Sequence, residues 1–129
     1  MPIIKISQKD IDKSKAPEDG WHLLEIDAFS ETDSKDKGSK NWVFDLRVVG
    51  DGSSKDRYAY ARFNSKAPGM LVSSGFLPSA LDTPVDAEIE FNPDELMHKQ
   101  LYGNVKSGTF EGKIQKKTEE FAPASRPPF

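Results

Sequence analysis

Aromatic and basic side chains alternate along Arg57-Tyr-Ala-Tyr-Ala-Arg-Phe63, and a second strand-like run, Asn41-Trp-Val-Phe-Asp-Leu-Arg-Val-Val49, precedes it. A pleated strand sends successive residues to opposite faces, so Tyr58, Tyr60 and Arg62 share one side and Ala59, Ala61 and Phe63 the other. Rings that stack bases, set among cations that track a phosphate backbone, are the chemistry of single-strand nucleic-acid binding. The candidates are Tyr58, Tyr60 and Trp21 for stacking, and Arg62, Arg47, Arg57, Lys40 and Lys66 for phosphates. Tyrosine is equally at home in a core. Small Ala59 and Ala61, however, suit a crowded interior and leave the tyrosines and Arg62 near solvent. Trp42 could also stack, but it falls in register with Phe44 and Leu46 and is expected to be buried.

Groups that could carry catalysis are few. His22 and His98 are the only imidazoles, and His22 beside Trp21 is expected to be structural. Glu95-Leu-Met-His98 has the spacing that puts two ligands on one helical face, yet di-metal carboxylate sites use that motif twice within a helical bundle. Glu88 and Glu90 alternate on a strand-like run, the pattern of a solvated acidic face rather than of a glycosidase pair. No phosphate-binding Gly-x-x-x-x-Gly-Lys-Ser/Thr loop, Gly-x-Ser-x-Gly elbow or His-Glu-x-x-His pair occurs. The reading is a non-catalytic protein with no cofactor and no metal.

The 129 residues fit one domain, and 36% hydrophobic with 30% charged residues is a globular composition. Cysteine is absent, which excludes a disulfide framework, a thiol nucleophile and cysteine-ligated zinc. No apolar run approaches the roughly 20 residues that span a bilayer, and no basic head with an apolar stretch opens the chain. The expectation is a cytoplasmic protein with no membrane partner.

A net charge of −3 argues against coating nucleic acid by bulk electrostatics. Its distribution is uneven. Lys40, Arg47, Lys55, Arg57, Arg62 and Lys66 against Asp45, Asp51 and Asp56 leave +3, and Lys106, Lys113, Lys116 and Lys117 against Glu111 leave another +3. Between them Asp82, Asp86, Glu88, Glu90, Asp94 and Glu95 against Lys99 leave −5. If the two basic segments are neighbouring strands, one face is cationic while the acids lie elsewhere; ordinary solvated strand faces would give the same counts.

The elements that would hold these residues follow from apolar periodicity. After an extended arm over residues 1–19, Trp21 to Phe29 reads as a strand with Leu24, Ile26 and Ala28 on one side and Leu23, Glu25, Asp27 and Phe29 on the other. Ser30 to Lys40, with Lys35 and Lys37, reads as a loop that could close on a ligand. Trp42, Phe44, Leu46 and Val48 form the core face of the second strand. Ser65 to Gly75 reads as a short helix stopped by its glycine. Thr83 to Phe91 has the strictest alternation, with Val85, Ala87, Ile89 and Phe91 inward. Gln100 to Lys106 and Thr109 to Lys117 read as a hairpin around Ser107-Gly108. The expected fold is all-β: a five-stranded barrel of the oligonucleotide/oligosaccharide-binding (OB) type with one short helix between strands 3 and 4, over residues 20–118, with a β-sandwich as the alternative.

Several of these features resemble a family of short bacteriophage-encoded proteins of unassigned function that are single-stranded-DNA-binding-like. They are Gly20, the Thr32-Asp-Ser-Lys-Asp-Lys-Gly38 loop, Val43-Phe-Asp-Leu-Arg-Val-Val49, the run from Arg57 to Phe63, the helix ending in Gly75, Thr83 to Phe91, and Tyr102-Gly-Asn-Val105. The resemblance implies an OB-type fold and a DNA-binding role in phage DNA replication or recombination. Residues 119–129 read as a tail. Its end, Pro127-Pro128-Phe129, resembles the tip by which bacterial single-strand-binding proteins recruit partners. Acids adjoin the tip in that family, whereas here Arg126 stands near it; a proline-rich tail without a partner is the plainer reading. Two other classes fit the same alternation, a β-sandwich protein-interaction or virion accessory domain and a carbohydrate-binding module. A homo-oligomer would multiply weak contacts.

Overall fold

A computed structural model describes residues 3–8, 11, 17–35, 38–110 and 113–129. Among these residues lie five strands, β1 (Gly20–Asp33), β2 (Lys40–Val48), β3 (Tyr58–Asn64), β4 (Gln100–Phe110) and β5 (Lys113–Pro123). They form one sheet in the order β1-β2-β3-β5-β4, and β1 also pairs with β4, so the sheet closes in a ring. A single closed sheet replaces the two stacked sheets of the sandwich alternative. Every pairing is antiparallel except β3 with β5, which is parallel and rests on the one register pair Tyr60↔Lys117.

The ring forms because each strand offers an apolar side to its inside. Leu24, Ile26, Phe44, Leu46, Val48, Ala59, Ala61, Phe63, Leu101 and Val105 are buried there. Tyr58, Tyr60 and Arg62 point outward, as the small size of Ala59 and Ala61 requires. Between β3 and β4 lie two short helices, α1 (Met70–Ser73) and α2 (Phe76–Leu81), and a 3-10 turn at Pro93–Leu96. The Phe76 ring lies 4.8 Å from Phe44, 5.2 Å from Phe63 and 5.0 Å from Phe121, centroid to centroid, and so closes one end of the ring.

Several expectations are corrected. The arm is not extended throughout: Gln8 and Ile11 are helical, and the Ile11 amide donates to the Ser7 carbonyl at 3.1 Å. A bulge between Ile26 and Ala28 breaks the alternation of β1, turning Ala28 out and bringing the Phe29 ring to 5.0 Å from Phe44. Gly75 does not end the helical region: at φ 88° it turns α1 into α2, a conformation glycine adopts without a Cβ penalty. Residues 83–91 are not a strand; they cross the end of the ring without sheet pairing, their apolar side covering the core rather than entering it. The last hairpin turns between Phe110 and Lys113, so Ser107 and Gly108 lie within β4, opposite Lys116 and Gln115. β5 then continues to Pro123, taking Glu119 and Glu120 into the sheet.

Gly103 is buried with no room for a side chain. A Cβ there would stand 2.6 Å from Leu24 Cδ1 and 2.6 Å from Thr118 Cγ2, both on buried side chains, one of them β-branched and stiff. Gly103→Ala is expected to lower stability by about 1–3 kcal/mol in urea unfolding through overpacking. Gly69→Ala, at a helical φ of −60° with nothing within 4 Å, is expected to be neutral or to stabilise by about 0.4–1 kcal/mol. Equal effects at the two sites would refute the close approach at Gly103.

Candidate nucleic-acid interface

The outward face of β2 and β3 is set by register. Asn41, Val43, Asp45 and Arg47 of β2 stand opposite Asn64, Arg62, Tyr60 and Tyr58 of β3. On the far side of β3, Lys117 of β5 stands beside Tyr60, so the two basic segments of the sequence are indeed neighbours. Tyr60 is partly exposed and Arg62 exposed, with the guanidinium carbon 6.0 Å from the ring centroid. That pairing holds a flat ring and a cation side by side on one strand.

One end of this face is cationic. The Asn64 Nδ2 group lies 3.3 Å from Ser34 Oγ, 3.4 Å from Ser39 Oγ and 3.2 Å from Asn41 Oδ1, tying the β1–β2 loop to the end of β3. The Ser65 amide donates to the Lys40 carbonyl at 2.9 Å and the Lys40 amide to Ser65 Oγ at 2.8 Å. Lys40 and Lys66 are thereby brought to the same rim as Arg62. The Lys40 ammonium pairs with Asp33, whose hydrogen bond and charge raise its pKa. Lys37 lies outside the described residues.

The other end is crowded with carboxylates. Arg47 donates to Asp56 Oδ1 at 3.0 Å and to Glu25 Oε2 at 3.1 Å, and the Tyr58 hydroxyl donates to Asp27 Oδ2 at 2.7 Å. Gln100 reaches Glu25 Oε1 at 3.4 Å, and His98 Nδ1 lies 3.6 Å from Glu25 Oε2. Arg47 and Tyr58 are thus committed to carboxylates. Their identities were legible in the sequence; Glu25, a β1 residue brought opposite Arg47 by register, was not. Glu25, Asp27 and His98 each bring a ligand atom within 4.8 Å of the others. Protein donors already hold the two carboxylates there, and Glu95 belongs to no such group among the described residues.

The remaining candidates lie elsewhere. Arg57 precedes β3 at the acidic end, its amide bonded to the Ser54 carbonyl at 3.0 Å. Trp21, opposite Asn104 on the β1–β4 side, lines a separate cleft of about 420 Å³ with Tyr102, Phe129 and the loop of residues 50–55. Phe129 sets its ring edge-on to Tyr102 at 5.5 Å. Pro127 and Pro128 are exposed with it. His22 Nε2 donates to the Glu18 carbonyl at 2.7 Å, a structural contact. The Trp42 indole donates to Glu31 Oε2 at 3.0 Å.

Beyond Tyr60 and Lys117, β3 and β5 diverge. The gap is a groove of about 480 Å³ whose lining includes Arg62, Met70, Lys117, Thr118 and the carboxylates of Glu119 and Glu120. Thr118 is buried, and its Oγ1 has no hydrogen-bond partner. Lys117, 3.0 Å from Glu119, is the residue that the sequence counted as basic but did not place at the site. Its signal was the second cationic segment, which needed the β3–β5 pairing to acquire meaning. No protein-family model matches the chain, and a search of curated proteins finds no significant match. Among the described residues no helix is long and apolar enough to cross a membrane.

Burial pushes the Glu25 carboxyl up, but hydrogen bonds from Gln100, Arg47 and His98 together outweigh it and hold the group below its ordinary 4.5. A lowered pKa contributes stability above the ordinary value that is lost as pH falls through the folded one. Wild-type melting temperature should therefore decline as the pH drops from about 5 to about 3, and Glu25→Gln should flatten that decline. Parallel pH profiles for the two proteins would disprove the assignment.

Proposed function

We propose that this chain is an OB-type barrel that binds single-stranded DNA, as a non-catalytic accessory to phage replication or recombination. The reading rests on one observation: Tyr60 and Arg62 stand side by side on the outward face of β3, flanked by Lys117 of β5 and opening onto a groove. The strand order and the helical segment between β3 and β4 support this reading. In such barrels the second and third strands, with the loops after strands 1 and 4, are where oligonucleotides bind.

The geometry narrows the contact set. Tyr60 supplies the stacking platform, while Arg62, Lys66, Lys40 and Lys117 line the path of phosphates. Arg47 and Tyr58 hold the barrel wall through Glu25, Asp56 and Asp27 and leave the acidic end to repel a polyanion. A strand therefore crosses at the loop end of β2–β3 and enters the groove between β3 and β5. The resemblance of the strand and loop motifs to short phage proteins supports the replication or recombination setting in the host cytoplasm. Pro127-Pro128-Phe129 is the segment suited to recruiting another protein of that machinery.

Fluorescence anisotropy with a labelled oligo-dT over a salt series tests this. About four phosphate contacts should give a slope of log affinity against log salt of roughly −2 to −3 for a single strand. Tyr60→Ala should lose about 1–3 kcal/mol of binding, the worth of one stacked base. Arg62→Ala should reduce the salt slope by about 0.7. Tyr58→Phe and Arg47→Ala should affect folding stability more than affinity. No binding at low salt, or affinities indifferent to Tyr60 and Arg62, would sink the proposal.

A further inference from the structure

Residues 84–91 are strand-like in sequence and unpaired in the fold. Ile89 and Phe91 line an apolar cleft of about 440 Å³ with Phe29, Trp42, Leu71 and Leu77, whereas Glu88 and Glu90 are exposed and stay out of its lining. The chain there alternates sides as a pleated strand does. No backbone group of residues 84–91 hydrogen-bonds to another described residue. Ile89 remains 40% exposed. An edge with free donors and acceptors beside an uncovered apolar cleft is a template for an added strand.

A segment of complementary character is present in the same chain. Ile3, Ile4 and Ile6 are 86%, 83% and 68% exposed, in a stretch that has neither helix nor sheet pairing. In an extended arm Ile4 and Ile6 fall on one side and Lys5 on the other with Ile3. Laid along residues 88–91, such an arm places Ile4 and Ile6 over the cleft beside Ile89 and Phe91, and Lys5 on the side of Glu88 and Glu90. Opposite charges directly across a pair of strands stabilise it, and like charges do the reverse. The same rule disfavours the symmetrical alternative of two copies pairing their 84–91 segments, which would set Asp86, Glu88 and Glu90 against one another.

We propose that the arm of a second copy of this chain adds to residues 88–91, so that two copies exchange arms in a closed, two-fold dimer. Within a single chain the isoleucines and Ile89 stay exposed, so its own arm does not cover the cleft. The arm's base is fixed at the opposite end of the β1–β2 ladder. There Pro17 is buried, the Glu18 amide donates to Ser54 Oγ at 2.9 Å and Ser53 Oγ donates to Glu18 Oε1 at 3.1 Å, whereas Glu31 and Trp42 flank the cleft. Between that base and Ile6 lies a helical turn at Gln8 and Ile11, the Ile11 amide donating to the Ser7 carbonyl at 3.1 Å, so the isoleucines are carried outward on a spacer rather than on a fully extended chain. Mutual exchange satisfies both edges and leaves no open end for further growth.

Sedimentation velocity on the full chain, with amide hydrogen exchange, tests the dimer. For so small an interface the wild type should dimerise with a dissociation constant on the order of 10–100 μM, and residues 88–91 should gain protection only at dimer-forming concentrations. Ile4→Asp with Ile6→Asp, which alters exposed residues and leaves the barrel folded, should weaken dimerisation at least about tenfold. Glu88→Lys with Glu90→Lys should weaken it similarly, and adding Lys5→Glu should recover most of the loss. A chain that stays monomeric at several times about 100 μM, a dimer indifferent to the arm, or protection of residues 88–91 in the monomer overturns the proposal. None of these outcomes depends on whether the β2–β3 face binds DNA.

Discussion

The pairing of β1 with two neighbours at once is the constraint on which the rest of this molecule depends. Its first residues, Gly20 to Glu25, bond β4 while Leu24 to Asp33 bond β2, and the overlap at Leu24 and Glu25 turns an open sheet into a ring. The seam is reinforced where the bulge bends the strand: the Ile26 amide donates to the Lys99 carbonyl at 2.9 Å, and the His98 amide to the Ile26 carbonyl at 2.7 Å. Closure removes the free edges that an open five-stranded sheet would carry and fixes which side of every strand is core. Opposite this strong seam lies the weak one. Among the described residues β3 and β5 share one register pair, and the groove opens where they part. The ring is thus loosest at that gap, where Arg62 and Lys117 stand among the lining residues with Glu119 and Glu120.

Most of the sheet was legible because burial on one face writes a period of two into the sequence. β2 and β3 show it most clearly: Phe44, Leu46 and Val48, and then Ala59, Ala61 and Phe63, point inward as the alternation requires. The same signal misled at Thr83 to Phe91. One apolar side and one acidic side satisfy any extended segment lying over a core, whether or not its backbone pairs, and alternation carries no information about hydrogen bonds. In β1 the two sides expected from alternation change places at Ala28 and Phe29 for a related reason. A bulge inserts one residue without leaving a mark in composition, and every side chain beyond it changes face.

The site was partly legible, since residue types on one strand could be read but neighbours across strands could not. Tyr58, Tyr60 and Arg62 share an outward face as their spacing demands. Trp21, chosen by type alone, lies on the β1–β4 side, away from them. Lys117 became their neighbour only through a parallel pairing between distant segments. The acidic run fell outside this face, as the charge counts allowed. The carboxylates at the other end of β2–β3 come instead from β1 and from the loop before β3.

Arg47 and Arg62 show why local sequence could not decide which cations are available. Both occupy outward positions on strands with similar alternation. Across the ladder Arg47 meets Glu25, with Asp56 at its other side, and its guanidinium spends its donors on them. Arg62 meets Val43, which offers no carboxylate, and turns toward the ring of Tyr60. A guanidinium bonded to two carboxylates must give up charge-assisted bonds before it can hold a phosphate, and removing it from them leaves partly buried acids uncompensated. One facing an apolar neighbour gives up far less. The difference between an arginine committed to carboxylates and one turned toward a ring therefore lies in the residue that register places opposite each.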